Sequence, residues 1–299
     1  VRRNQRELEA AIRAYGRELD ALRKRGLVLQ ARDLIRIRAA FREFVRRLSS
    51  SVPTSRFSQM IIGSILRDLA QEIDRLTQEL DVTVRRGLLA QEQLANESLQ
   101  AFMRHFTETG QAIGLVSLSP SQLDLVRDFS ARLISVREGG LGARMLAAVD
   151  RLIRLSALGA GEGGFVIAER ILQAMRGLRR FHWEAERIYR TEVLRIHSIV
   201  TQQGIERLAQ RMDVQKMWRW SGISREEHAR IDGQVVPADG KFSVPLPKGG
   251  TVKMMFPRDP VAPPEATINC GCYVVPVPTQ ALAAARELGI ELAAFPRAA

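Results

Sequence analysis

The stretch Phe242-Ser243-Val244-Pro245-Leu246-Pro247-Lys248-Gly249-Gly250-Thr251-Val252-Lys253-Met254-Met255-Phe256 decides the fold class of this chain. Two short runs rich in aromatic and β-branched residues, Phe242-Ser243-Val244 and Thr251-Val252-Lys253-Met254-Met255-Phe256, read as strands. Pro247-Lys248-Gly249-Gly250 stands between them, where a hairpin connection belongs. Cys272-Tyr273-Val274-Val275 reads as a further short strand. From Trp218 to Pro278 the helical period is lost, and proline, glycine and aromatic residues cluster instead. A small α+β unit with short antiparallel strands is therefore expected near the C-terminus.

Everything before it reads as helix. Leu8, Ile12, Tyr15, Leu19 and Leu22 recur at steps of three and four, which lines them along one helix face. Leu34, Ile37, Phe41, Phe44 and Leu48 resume the pattern after an expected break near Gly26, and Ser49-Ser50-Ser51-Val52-Pro53 ends it with turn chemistry. A second stripe, Leu69, Ile73, Leu76 and Leu80, carries helix to about His105. Ser119-Pro120-Ser121-Gln122 has the makings of a helix start, with stops at Gly139-Gly140 and at the glycine cluster 159–164. Helical residues dominate again from Phe165 to Met212, with a break near Gly177. The fold class is thus α+β: a mainly helical body over 1–158, a helical segment over 159–212 leading into the small α+β domain at 213–279, and a short helix and tail at 280–299.

Composition narrows the partners. Arginine and lysine outnumber aspartate and glutamate by 45 to 33, a net charge of +12 that favours contact with a polyanion, and DNA is the obvious one. The excess can equally sit on solvated helix faces, since no compact basic tract occurs. No run of about 18 apolar residues exists, so no membrane span is expected. The first residues, Val1-Arg2-Arg3-Asn4-Gln5, lack a methionine and lead into a charged helix, as in a trimmed chain. Cys270 and Cys272 are the only cysteines. Two residues apart, they do not readily meet the geometry of an unstrained disulfide, so reduced thiols or metal ligands are expected.

Three elements follow one another in the last third. They are Arg225-Glu226-Glu227-His228 with Ile231-Asp232-Gly233, then Pro257-Arg258-Asp259, then Asn269-Cys270-Gly271-Cys272. Upstream stand Tyr189-Arg190-Thr191-Glu192 and the pair Trp218 and Trp220. This ordered set resembles the Mu F-like domain of phage head-morphogenesis proteins. Members of that family carry an Arg-Thr-Glu on a helix, a Trp segment, an Arg-x-x-His before an Asp-Gly, a Pro-x-Asp and an Asn-Cys-x-Cys. Each element alone is weak, but five in order are specific. The resemblance covers roughly residues 160–278. It departs at Ser221-Gly222-Ile223-Ser224, where relatives often carry an acidic residue.

The resemblance implies a minor head protein of a tailed bacteriophage that is not an enzyme and has no catalytic residues. It would lie inside the virion head, and in the host cytoplasm during assembly. Its implied partners are the portal protein, the capsid or scaffold interior and packaged double-stranded DNA. Two chemical readings of the motif stay open. Cys270, Cys272 and His228 can present two thiolates and an imidazole to zinc, with Asp259 or Asp232 completing a tetrahedron. Alternatively Arg225, His228, Asp232, Asp259 and Asn269 form a structural polar network, with the cysteines packed as small apolar residues. A metal-dependent hydrolase or nuclease built on His228, Asp259, Cys270 and Cys272 is a rival function. It lacks a His-Glu-x-x-His, a paired-carboxylate or a phosphate-loop motif. A basic cellular DNA-binding protein is a third. Arg190 and Glu192, two apart on a helix, must find separate partners. His182, Trp183, Trp218 and Trp220 are expected in packing, and His105 and His197 are given no role.

Overall fold

A computed structural model describes residues 5–51, 59–107, 128–158, 180–222 and 225–287. Helices α1 (Gln5–Ser51), α2 (Gln59–Phe106), α3 (Leu141–Leu158) and α4 (Arg180–Ala209) form the body. The expected helix start at Ser119-Pro120-Ser121-Gln122, the glycine cluster 159–164, the break near Gly177 and the tail from residue 288 lie outside the described residues. Then come β1 (Val214–Arg219), a 3-10 turn (Glu226–Ile231), β2 (Val235–Pro237), β3 (Phe242–Pro245), β4 (Thr251–Met254), the single-turn helix α5 (Pro264–Thr267), β5 (Tyr273–Pro278) and α6 (Thr279–Glu287). The α+β class read from the sequence holds: a long helical body precedes a small region of short antiparallel strands. No described helix is long and apolar enough to cross a membrane.

The expected break near Gly26 does not occur, because α1 runs straight through it. Ile12, Tyr15, Leu19, Gly26, Asp33, Ile37, Phe41, Phe44 and Leu48 are all buried on one continuous stripe. Gly26 is therefore a packing position. A Cβ there would come within 3.3 Å of Leu94 Cδ1, so the missing side chain lets α2 approach closely. Asp33 sits on the same stripe and is a carboxylate where the pattern calls for an apolar residue. Arg36 (2.8 Å) and Arg86 (2.6 Å) pair with its Oδ1, and the Tyr189 hydroxyl donates to its Oδ2 at 2.7 Å. Burial and the carboxylate beside it push the Tyr189 phenol far above its ordinary range.

Contacts group the chain into two compact units. One comprises 30–87 and 122–189, with the Asp33 cluster and the Arg38–Glu186 pair inside it. In it Trp183, expected as packing, is 61% exposed, with the Arg38 guanidinium over its ring and His182 stacked beside it. The other comprises 1–29, 88–121 and 190–299, and thus holds every described strand together with the C-terminal two-thirds of α4. Tyr15 packs edge-on to Phe102 and Phe106 there. His105 pairs with Glu18 in the same unit. Gly204 of α4 lies so close to Leu99 that a Cβ would fall 2.1 Å from its Cδ1.

The main sheet has the order β2-β1-β5, antiparallel throughout, with Lys216 opposite both Val236 and Pro276. The hairpin read from the sequence is present as β3–β4, with Phe242 facing Met254 and Val244 facing Val252. Gly249 (φ 91) and Gly250 (φ 81) adopt the left-handed backbone that its turn requires. Strands β1 and β2 escape the sequence pattern. Five of the six β1 residues are buried, Lys216 and Arg219 among them, so no polar–apolar alternation appears. The Lys216 ammonium donates to Gln202 Oε1 and to the Met255 carbonyl, each at 2.9 Å.

Candidate functional site

The 3-10 turn starts at Arg225, which takes a left-handed conformation (φ 49) and so swings the chain inward. Its guanidinium donates from Nε (3.1 Å) and Nη2 (2.8 Å) to the Ile268 carbonyl, which ties this turn to the segment ahead of the cysteines. One turn later His228 is fully buried, with the edge of Trp218 against its ring at a centroid distance of 5.7 Å. Trp218 in turn meets Phe242 at 5.2 Å, so the imidazole stands in an aromatic wall.

Opposite it, Asn269 (φ 55) reverses the chain and donates its backbone N–H to Thr191 Oγ1 at 3.3 Å. That reversal turns Cys270 and Cys272 inward. Both lie before β5 rather than in a strand, yet both thiols reach His228 Nδ1, at 3.5 Å from Cys270 Sγ and 3.6 Å from Cys272 Sγ. The three ligand atoms lie within 4.8 Å of one another, and their residues are at most 1% exposed.

Arg258 closes the cluster. It too has a left-handed backbone (φ 64), and it is 1% exposed. Its guanidinium donates to the Cys270 carbonyl and, at 2.7 Å, to Ser198 Oγ of α4. Its own carbonyl accepts Arg195 Nε at 3.1 Å, and Arg195 pairs with Glu192 at 2.5 Å. Burial lowers the Arg258 pKa, while the two thiols work against that shift. The hydrogen bond from Cys272 draws the Cys270 thiol well below its ordinary range, and His228 and Arg258 add to this against the effect of burial. Burial raises Cys272, and the neighbouring Cys270 raises it further. The pair therefore accepts one negative charge readily and resists a second.

The other site residues have local tasks. Asp232 Oδ1 accepts the Trp220 N–H at 3.0 Å and lies 3.3 Å from Arg219 Nε. Gly233 (φ 80) completes that turn by donating to the Trp218 carbonyl at 2.8 Å. Asp259 is buried, with Oδ2 accepting the Met255 N–H (2.9 Å) and Oδ1 the Val261 N–H (3.1 Å). The structure thus brings His228, Cys270 and Cys272 together, and neither aspartate belongs to that group. Arg225, His228, Asp232, Asp259 and Asn269 do not make one hydrogen-bonded network. Three of them, Arg225, Asp232 and Asp259, secure backbone at separate points, Asn269 gives its own N–H to Thr191, and among the described residues the Nε2 of His228 has no hydrogen-bond partner. Sequence reasoning missed Arg258 as a site residue, and with it Thr191, Arg195 and Ser198. Arg258 stood inside the Pro-x-Asp element, but nothing in a single sequence says that an arginine is buried.

No family model and no solved structure matches the chain. A stretch of 66 residues is 39% identical to the uncharacterized protein YqbB of Bacillus subtilis (strain 168). The match covers 21% of this chain and 21% of that protein. The chain therefore spans about a fifth of the length of the curated relative it matches.

Proposed function

We propose that this protein is a minor head protein of a tailed bacteriophage, of the Mu F-like head-morphogenesis type, acting inside the head near the portal vertex. The observation that carries the reading is convergence. Five elements spread over residues 191–272 act on one small unit: Thr191 and Glu192 of α4, the Trp218 wall, Arg225 with His228, Arg258 with Asp259, and Asn269 with the two cysteines. A chance scatter of short motifs has no reason to meet in this way.

In this reading the unit is a framework rather than a catalyst. The thiols and the imidazole are at most 1% exposed, as suits a structural cluster. The helical body supplies docking surface for portal, capsid or scaffold. The net charge of +12 suits an interior crowded with DNA phosphate. The protein would be made in the host cytoplasm and kept in the virion. Co-expression with a portal protein encoded in the same genome, followed by affinity capture at moderate salt, tests the reading. Retention of the portal protein is expected; clean separation of the two in repeated captures contradicts it.

A further inference from the structure

Beyond the head-protein reading, we propose that His228, Cys270 and Cys272 form a zinc-class metal site that joins the 3-10 turn to the cysteine segment. The geometry points to it directly. A tetrahedral zinc ion with bonds of about 2.3 Å to sulfur and about 2.0 Å to nitrogen separates those donors by about 3.5 Å. The two sulfur–Nδ1 distances are 3.5 and 3.6 Å, the edges such an ion requires. Two thiolates and one imidazole are a donor set that suits zinc and disfavours magnesium or calcium.

The surrounding backbone is set for the same arrangement. Arg225, Arg258 and Asn269 are the non-glycine residues with positive φ among those described, and all three hold the cluster. Arg225 starts the turn that carries His228, Asn269 precedes Cys270, and Arg258 grips the Cys270 carbonyl. Left-handed backbone is strained at Arg225 and Arg258, less so at Asn269, and at arginine it persists only where surrounding contacts enforce it. Packing alone needs only that thiols and imidazole be buried. It does not need three such residues around a single point.

No fourth side-chain donor joins the group among the described residues, so the remaining position belongs to water or a small anion. Arg258 favours an anion. Zinc and two thiolates sum to zero charge, which leaves the buried guanidinium to be balanced.

Cobalt substitution tests the site in the full chain, because Cys270 and Cys272 are the only cysteines and no other residue can supply a thiolate. The purified chain is stripped of metal under reducing conditions and titrated with cobalt alone. The expected result is one cobalt per chain with a thiolate-to-cobalt charge-transfer band and tetrahedral visible absorption, both erased by zinc. Cys270→Ser, Cys272→Ser and His228→Ala should each weaken binding by more than about 100-fold, beyond the cost of disturbing an outer-shell partner. Asp259→Asn should leave the cobalt spectrum as it is. A wild-type chain that stays folded by circular dichroism and develops no charge-transfer band overturns the site, whatever the variants do. The portal capture above reads the head-protein proposal separately, so either can fail alone.

Discussion

Two buried polar clusters lie in different compact units of this chain, and they are held in different ways. The Asp33 cluster of the helical body is held by side chains: Arg36, Arg86 and the Tyr189 hydroxyl converge on one carboxylate. Its arginines are 53% and 45% exposed, so water shares them. The thiol–imidazole cluster is held by backbone. Arg225 and Arg258 donate to carbonyls of the segment around the cysteines, Thr191 receives a backbone N–H, and solvent reaches none of the three core residues. A cluster made of surface-reaching ion pairs can loosen gradually. One made of backbone anchors is fixed in shape before any ligand arrives.

The sharpest way to break this contrast is to remove one anchor from each. Arg258→Ala leaves the Cys270 carbonyl and the Ser198 hydroxyl without their donor and opens a cavity in a sealed site. A loss of about 3–5 kcal/mol in denaturant unfolding is expected. Asp33→Ala frees two arginines that already touch water and costs one buried tyrosine its acceptor. The expected loss is about 1–2 kcal/mol, because exposed ion pairs contribute little. Equal losses, or a larger one at Asp33, would erase the distinction.

A smaller effect comes from Lys216, buried in the central strand beside this cluster. Burial pushes its pKa down to about 8 from 10.5, against the pull of Glu206, Asp239 and Asp259. The unfolded chain therefore holds that proton more tightly than the folded one. Stability should rise as pH climbs from about 8 towards 10.5, and Lys216→Met should flatten that rise in thermal melts recorded across the interval. A slope unchanged in the variant would assign the effect to another group.

The smallest effect separates conformation from chemistry at Asn269. If the residue is present for its left-handed backbone (φ 55), Asn269→Gly should be close to neutral and Asn269→Ala should cost about 1 kcal/mol. Equal costs for both would restore a polar role for its side chain.

These cases also mark what a sequence can disclose. The Gly249-Gly250 turn was legible because only glycine takes that backbone easily, and the long stripes were legible because helix period survives in any context. Gly26 was misread because a glycine that admits a neighbouring helix looks the same as one that breaks its own. Asp33, Lys216 and Arg219 were invisible as core residues, since their burial depends on partners far along the chain. The same holds at the site. The residue types of Cys270, Cys272 and His228 suited either metal ligation or buried packing, and the structure brings the three together. Asp232 and Asp259 had equally suitable side chains, but Asp232 is committed to the Trp220 N–H just after β1 and Asp259 to backbone N–H groups of its own turn. The anchors Arg258 and Thr191 act on backbone groups, which no motif spells out.

The central proposal is that this chain is a minor head protein of a tailed phage, which requires it to be present in the phage head. Mass spectrometry of procapsids and mature virions, purified after induction of the strain that carries this gene, tests it most directly. Peptides of this protein are expected in both particles, at a few copies per portal. Procapsids and virions that are complete in portal and capsid subunits yet free of it would contradict the claim.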